Sequence, residues 1–230
     1  MLEWLKECDD ALFVMLNGSD SLYWDGFMWV VTKTQTWIPL MLMVLYVVVK
    51  NGTLRRLLLI VACLALTVLL ADRLSSGLIK PLVQRWRPTH SATFVDSLDT
   101  VFGYTGGRFG FVSSHAANTF SVALFLSLLF RYRPLSLLLF LWAAVASYSR
   151  VYLGVHYPGD ILCGALLGLL VGGLVYLGFA TTERKMHREL QYFSASYTRS
   201  GFLTSDLKRM MAAIVCIFAA ALIAAIFVAP

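Results

Sequence analysis

Lys80, Arg87 and Arg150 are fixed cations, His115 and His156 are imidazoles, Asp160 is a carboxylate, and Ser113 and Ser114 carry hydroxyls. They fall in three runs: Lys80-Pro-Leu-Val-Gln-Arg-Trp-Arg87-Pro88, Val112-Ser113-Ser114-His115, and Ser149-Arg150-Val-Tyr-Leu-Gly-Val-His156-Tyr-Pro-Gly-Asp160. Guanidinium forks, an ammonium and helix N-termini are groups that grip phosphate oxygens. The helix expected after Pro158 begins where proline is favoured, at a first turn. His156 and Asp160 are four residues apart, so a helical turn would bring them together. A carboxylate accepting from one ring nitrogen leaves the other with a free lone pair, the arrangement of an oriented nucleophile or base. His115 could then give a proton to a leaving oxygen.

These runs are far apart in sequence, so other elements must gather them. Of the 230 residues, 59% are hydrophobic and 14% charged, which argues against an ordinary water-soluble fold and against disorder. The apolar residues come in runs near the roughly 20 residues needed to cross roughly 30 Å of hydrocarbon. Six spans are expected: about Leu22 to Val49, Leu54 to Ile79, Ala116 to Phe130 with its flanks, Pro134 to Tyr152, Ile161 to Ala180, and Met210 to Val228. Lys33 to Thr36 interrupt the first, and such polar groups should face the protein interior or the interface. Residues 2–16 alternate apolar and acidic positions at helical spacing and are too polar to span, which predicts a helix lying on the membrane surface. The fold expected is an all-α, six-span bundle in one membrane domain. It divides into a surface helix over 1–18, a five-span catalytic core over 19–180, a cytoplasmic loop over 181–208 and an additional span over 209–230.

The net charge of +6 could suggest nucleic acid, but its distribution gives a simpler reason. Lys50, Arg55 and Arg56, then Arg131 and Arg133, then Arg184, Lys185, Arg188, Arg199, Lys208 and Arg209 occupy alternate connections. The positive-inside rule makes that side cytoplasmic and puts the three polar runs on the outer face. Trp24, Trp29, Trp37, Trp86 and Tyr104 lie near span ends, where interfacial placement is expected. Cys8, Cys63, Cys163 and Cys216 read as small hydrophobes, not a disulfide framework, and the opening residues show no cleavable signal peptide.

The three runs resemble the signature blocks of the type 2 phosphatidic acid phosphatase superfamily, whose patterns are K-x6-RP, PSGH and SR-x5-H-x3-D. The first is complete in Lys80, Arg87 and Pro88, and the third in Ser149, Arg150, His156 and Asp160. The middle block keeps Ser113 and His115, but Val112 stands for its proline and Ser114 for its glycine. Gly103, Gly106, Gly107 and Gly110 upstream could supply the flexibility that glycine would give. The resemblance covers roughly Asp72 to Gly168. It implies that His156 attacks phosphorus to form a phosphohistidine and that Asp160 orients it. His115 would protonate the departing oxygen, while Lys80, Arg87, Arg150 and Ser113 hold the phosphate; Ser114, which departs from the family pattern, could add a hydroxyl donor to the same phosphate.

The expected activity is hydrolysis of a lipid phosphate or diphosphate, with no metal and no cofactor, at the outer face of a plasma or inner membrane. Undecaprenyl diphosphate and lipid A lead as substrates, with phosphatidylglycerophosphate a further possibility. Two imidazoles and a carboxylate could instead hold a divalent cation, which the neighbouring positive charges would oppose. A non-enzymatic carrier of lipid headgroups would need the cations but not the His156–Asp160 pair. Other charged residues have more ordinary expectations: Asp72 and Arg73 a buried ion pair bracing the site, Arg85 and Arg108 solvation or headgroup contact, His90 a solvated loop, Asn118 a hydrogen bond within the bundle, and His187 a cytoplasmic charge.

Overall fold

The structure is a computed structural model that describes residues 2–94, 98–186 and 196–228. Those residues are helical, with no strand among them beyond two isolated bridges. His187 and Arg188 lie outside the described residues. The elements in chain order are α1 (Leu2–Leu16), α2 (Leu22–Thr32), α3 (Ile38–Asn51), α4 (Leu54–Asp72), α5 (Lys80–Val83), α6 (Ser114–Phe130), α7 (Arg133–Tyr152), α8 (Pro158–Met186) and α9 (Thr204–Val228).

A π-helical stretch, Arg73–Ile79, joins α4 to α5, so Leu54–Val83 runs on as a 30-residue apolar rod. Four helices among the described residues are long and apolar enough to cross a bilayer, or five if the bent pair α2–α3 is one span. α6 is apolar but shorter, at 17 residues. On α8, Leu162, Leu166, Leu170, Leu174 and Leu177 form an exposed stripe at helical spacing. An exposed leucine stripe of this length is costly in water and favourable against acyl chains.

The expected single helix over residues 22–49 is broken. The backbone turns extended at Lys33, and α2 and α3 meet at 67°. The polar run makes the break tolerable by capping it: Thr36 Oγ1 donates to Val30 O at 2.6 Å and Trp37 Nε1 to Val31 O at 2.9 Å. Trp37 is therefore buried against Trp142 and Phe218 and does not sit in an interfacial belt.

α6 and α8 form the tightest pair, because glycines let their backbones approach. A Cβ on Gly164, Gly168 or Gly172 would lie 2.5, 2.4 or 2.4 Å from the carbonyl oxygens of Ser113, Ala117 and Ser121. The basic connections gather at one end of the bundle. Arg56 pairs with Glu183 at 2.7 Å and donates to Ser200 O, Lys50 pairs with Asp206 at 2.8 Å, and Ser200 Oγ donates to Phe130 O. The loops that carry the three signature runs meet at the other end. α1 docks there too, through Phe13 against Phe94 and Tyr157 and through Asn17 Nδ2 donating to Tyr152 O at 2.9 Å.

Candidate active site

α5 ends at Gln84 in the left-handed region, and the chain then runs extended along the segment before α6. Arg87 N–H donates to Arg108 O and Gly110 N–H to Arg85 O, so the first signature run is tied to the approach to the second. Ser113 caps α6, its hydroxyl accepting from Ala116 N–H, while its own N–H donates to Asp160 O at 3.0 Å. That bond joins the second run to the third.

The third run supplies the centre. α7 ends just beyond Arg150, the chain turns through Gly154 at φ +74°, and α8 starts at Pro158. His156 is 2% exposed and Asp160 0%. His156 Nδ1 lies 3.2 Å from Asp160 Oδ2, which also accepts from Tyr157 N–H at 3.1 Å. With the carboxylate as acceptor, Nδ1–H donates and Nε2 keeps its lone pair. Burial first, then the charges of Arg87, Arg150 and Lys80, with His115 also contributing, hold the His156 imidazole well below its usual pKa. The ring is thus neutral, the nucleophilic form, at physiological pH.

Arg87 is buried and donates through Nε to Phe109 O at 3.1 Å and through Nη1 to Val155 O at 3.3 Å. Burial and then Arg150 pull its pKa to about 10, so it remains a cation at neutral pH. A Cβ at Gly106 would stand 2.7 Å from Arg87 Nη1, so the glycine-rich loop approaches the guanidinium as only glycine can. Arg150 is also buried, with Nη1 donating to Thr32 Oγ1 at 2.9 Å and Nη2 to Tyr104 OH at 3.2 Å. Its Nε is buried without an acceptor among the described residues. A buried guanidinium N–H left open among other cations is a donor suited to an anion's oxygen.

A family model of the PAP2 superfamily matches residues 56–184, more than half of the chain and all three signature runs. The chain belongs to the PAP2 superfamily. It is an enzyme of the phosphatase class. It is 42% identical over 177 residues to a lipid A 4'-phosphatase of Bacteroides thetaiotaomicron, covering 76% of this chain and 79% of the relative. It is 38% identical over 175 residues to a lipid A 4'-phosphatase of Porphyromonas gingivalis, covering 76% and 74%. The crystal structure of Aquifex aeolicus LpxE shares the fold, with a TM-score of 0.54 at 24% identity over 72% of this chain and 92% of that one.

Within this PAP2 framework the sequence-predicted residues do not all converge equally. His156, Asp160, Arg87 and Arg150 share one buried centre, and Lys80 and His115 are near enough to act electrostatically on His156. Ser113 serves as a helix cap. Ser114, expected to hold phosphate, instead shares a 2.7 Å hydrogen bond with Ser76 of the π-helical stretch. A hydroxyl at the first position of α6 points along the helix flank, where the neighbouring helix supplies a partner.

Asp72 and Arg73 are exposed and do not form the expected buried pair; Asp72 Oδ1 accepts from Ser76 Oγ. Asn118 Oδ1 is buried without a donor among the described residues, where a hydrogen bond within the bundle is the expectation from sequence. Arg108 stacks over Trp86 at 4.8 Å, and His90 shares a hydrogen bond with Thr89. Arg85 departs furthest from expectation: it bonds Asp160 Oδ1 at 3.1 Å and Asp9 Oδ2 at 2.7 Å. Burial would lower its pKa, but Asp160 and Asp9 outweigh that and raise it.

Sequence reasoning missed Thr32, Tyr104 and Asp9 as groups that hold the site's charges. Arg85 offered one signal, a third cation inside the first signature run. Thr32 and Asp9 offered none, because both lie upstream of the family match.

Proposed function

We propose that this chain hydrolyses a lipid phosphate through a phosphohistidine intermediate, without a metal, and that lipid A is its substrate. The reaction begins with in-line attack of His156 Nε2 on phosphorus, forming a P–N bond as the P–O bond to the lipid breaks. A proton that His115 takes up as the phosphate's negative charge enters beside it passes to the departing lipid oxygen. Water then attacks phosphorus, His115 takes the water's proton, the P–N bond breaks, and phosphate leaves. Asp160 keeps Nδ1 protonated and offsets the positive charge of the phosphorylated ring.

Lys80, Arg87 and Arg150 neutralise the phosphoryl oxygens, which is the main demand of phosphoryl transfer. The observation that carries this reading is the buried His156–Asp160 pair at 3.2 Å beside an Arg150 Nε that has no acceptor among the described residues.

The lipid A preference rests on the two relatives of that name, each aligned over about three quarters of both chains. The membrane reading rests on the four apolar rods and the leucine stripe of α8; the six-span arrangement needs both the bent pair α2–α3 and the shorter α6 to cross as well. The basic end then faces the cytoplasm and the site opens at the outer face of the inner membrane, with α1 along the surface. A lipid tail stays in the bilayer while its phosphate enters the polar end.

The test is phosphate release in detergent with EDTA present, from lipid A, undecaprenyl diphosphate and phosphatidylglycerophosphate, by wild type and His156→Ala. Release from lipid A fastest of the three, lost in His156→Ala, is the expected result. Equal release from both proteins, or dependence on added metal, would overturn the mechanism. Faster release from another lipid would overturn the substrate.

A further inference from the structure

Asp160 has two oxygens and His156 uses only one. The other, Oδ1, accepts from Arg85 Nη1 at 3.1 Å, and Arg85 Nη2 reaches on to Asp9 Oδ2 at 2.7 Å. Asp9 lies on α1, more than 70 residues from Arg85, and its second oxygen accepts from Gly159 N–H at 2.6 Å, in the first turn of the helix that carries Asp160. The contact is a fitted one. A Cβ on Gly159 would stand 2.8 Å from Asp9 Oδ2, the Arg85 guanidinium lies 3.9 Å over the Tyr157 ring, and Phe13 of α1 meets the same ring edge-on at 5.4 Å.

We propose that Asp9 is a positioning residue for the reaction, acting through Arg85 on the Asp160–His156 pair. This rests on the phosphohistidine reading given above. The physical reason is charge. Arg85 alone against Asp160 would cancel the carboxylate that His156 needs when its ring becomes positive on attack. Asp9 cancels Arg85 instead, so the three groups sum to one negative charge, which remains on the side facing His156.

Asp9 also fixes the fork. A guanidinium held between two carboxylates cannot swing, so Asp160 Oδ2 stays aimed at Nδ1. The N-terminal helix thereby belongs to the catalytic apparatus, although it lies outside the PAP2 match.

The experiment measures kcat and KM for lipid phosphate release by the full chain in detergent, with Asp9→Asn, Asp9→Glu, Arg85→Gln, the double variant Asp9→Asn/Arg85→Gln, and His156→Ala. Glu7→Gln is the control, removing an exposed charge from the same helix. Asp9→Asn is expected to lower kcat by about 10- to 100-fold with KM within about twofold, the usual scale for a partner that orients a reacting group. Asp9→Glu should recover most of that loss and Glu7→Gln should match wild type. Asp9→Asn should cost nothing further once Arg85 is Gln, because one path carries both effects.

Wild-type kcat in Asp9→Asn, or losses that multiply in the double variant, would overturn the relay while a dead His156→Ala leaves the phosphohistidine reading standing. Activity retained in His156→Ala would overturn both. A kcat loss in Asp9→Asn that tracks a lowered Tm and is not recovered in Asp9→Glu would show mere docking of α1 and also overturn the relay.

Discussion

Gly110 lies against Asp160 so closely that a Cβ on the glycine would be 2.7 Å from Asp160 Oδ2 and 3.4 Å from Arg87 Cγ. That oxygen is held by His156 Nδ1 and Tyr157 N–H and cannot retreat without breaking one of them. Gly110→Ala should therefore reduce kcat at least about tenfold, by displacing the carboxylate, and lower stability by about 1–3 kcal/mol through overpacking. Gly178→Ala on α8, where a new Cβ meets nothing within 4 Å among the described residues, should retain full activity. Steady-state kinetics and thermal unfolding of the two variants side by side check this, and unchanged kcat in Gly110→Ala would refute it.

Arg150 takes its position partly from α2, where Thr32 Oγ1 accepts from Nη1 at 2.9 Å. Thr32→Val keeps the shape but removes the acceptor. A hydrogen bond to a charged group contributes about 1.5–3 kcal/mol, so kcat/KM should fall about 10- to 100-fold. Thr67→Val is the matched control: its hydroxyl is equally buried but bonds only Cys63 O within its own helix, and kcat/KM should stay within about twofold. If the two variants behave alike, Thr32 does not hold the guanidinium in its working position.

Much of this arrangement was legible in the chain, for identifiable reasons. The four-residue step from His156 to Asp160 produces contact because the intervening Pro158 starts α8. The alternation of basic connections anticipated their meeting at one end, as the Arg56–Glu183 and Lys50–Asp206 pairs show. The break at Lys33 shows in the sequence only as an interruption, because hydropathy registers polarity and not the side chains that cap a broken turn. Gly164, Gly168 and Gly172 recur every four residues, but their use against α6 depends on which face of α8 turns inward. Ser114 and Arg85 have partners that the motifs do not show for the same kind of reason: a motif gives residue type and spacing, while the partner across the gap, Ser76 or Asp9, comes from another helix.

His156 gives the protein a signature in its acid stability. Burial and the surrounding cations hold its folded-state pKa well below the usual value of about 6.5, so the folded ring stays neutral where the unfolded ring takes up a proton. Above pH of about 6.5 both states are neutral and the group adds no slope. As the pH falls below that value only the unfolded state binds the proton, and folding stability drops by about 1.4 kcal/mol per pH unit until the folded pKa is reached. The Tm in detergent should therefore fall more steeply between pH 7 and 5 for wild type than for His156→Gln, which cannot take up that proton. All other titrating groups are common to the two proteins and largely cancel in the comparison. Parallel Tm curves would mean that the imidazole takes up its proton at the same pH in the folded and unfolded protein, and would refute the lowered folded-state pKa.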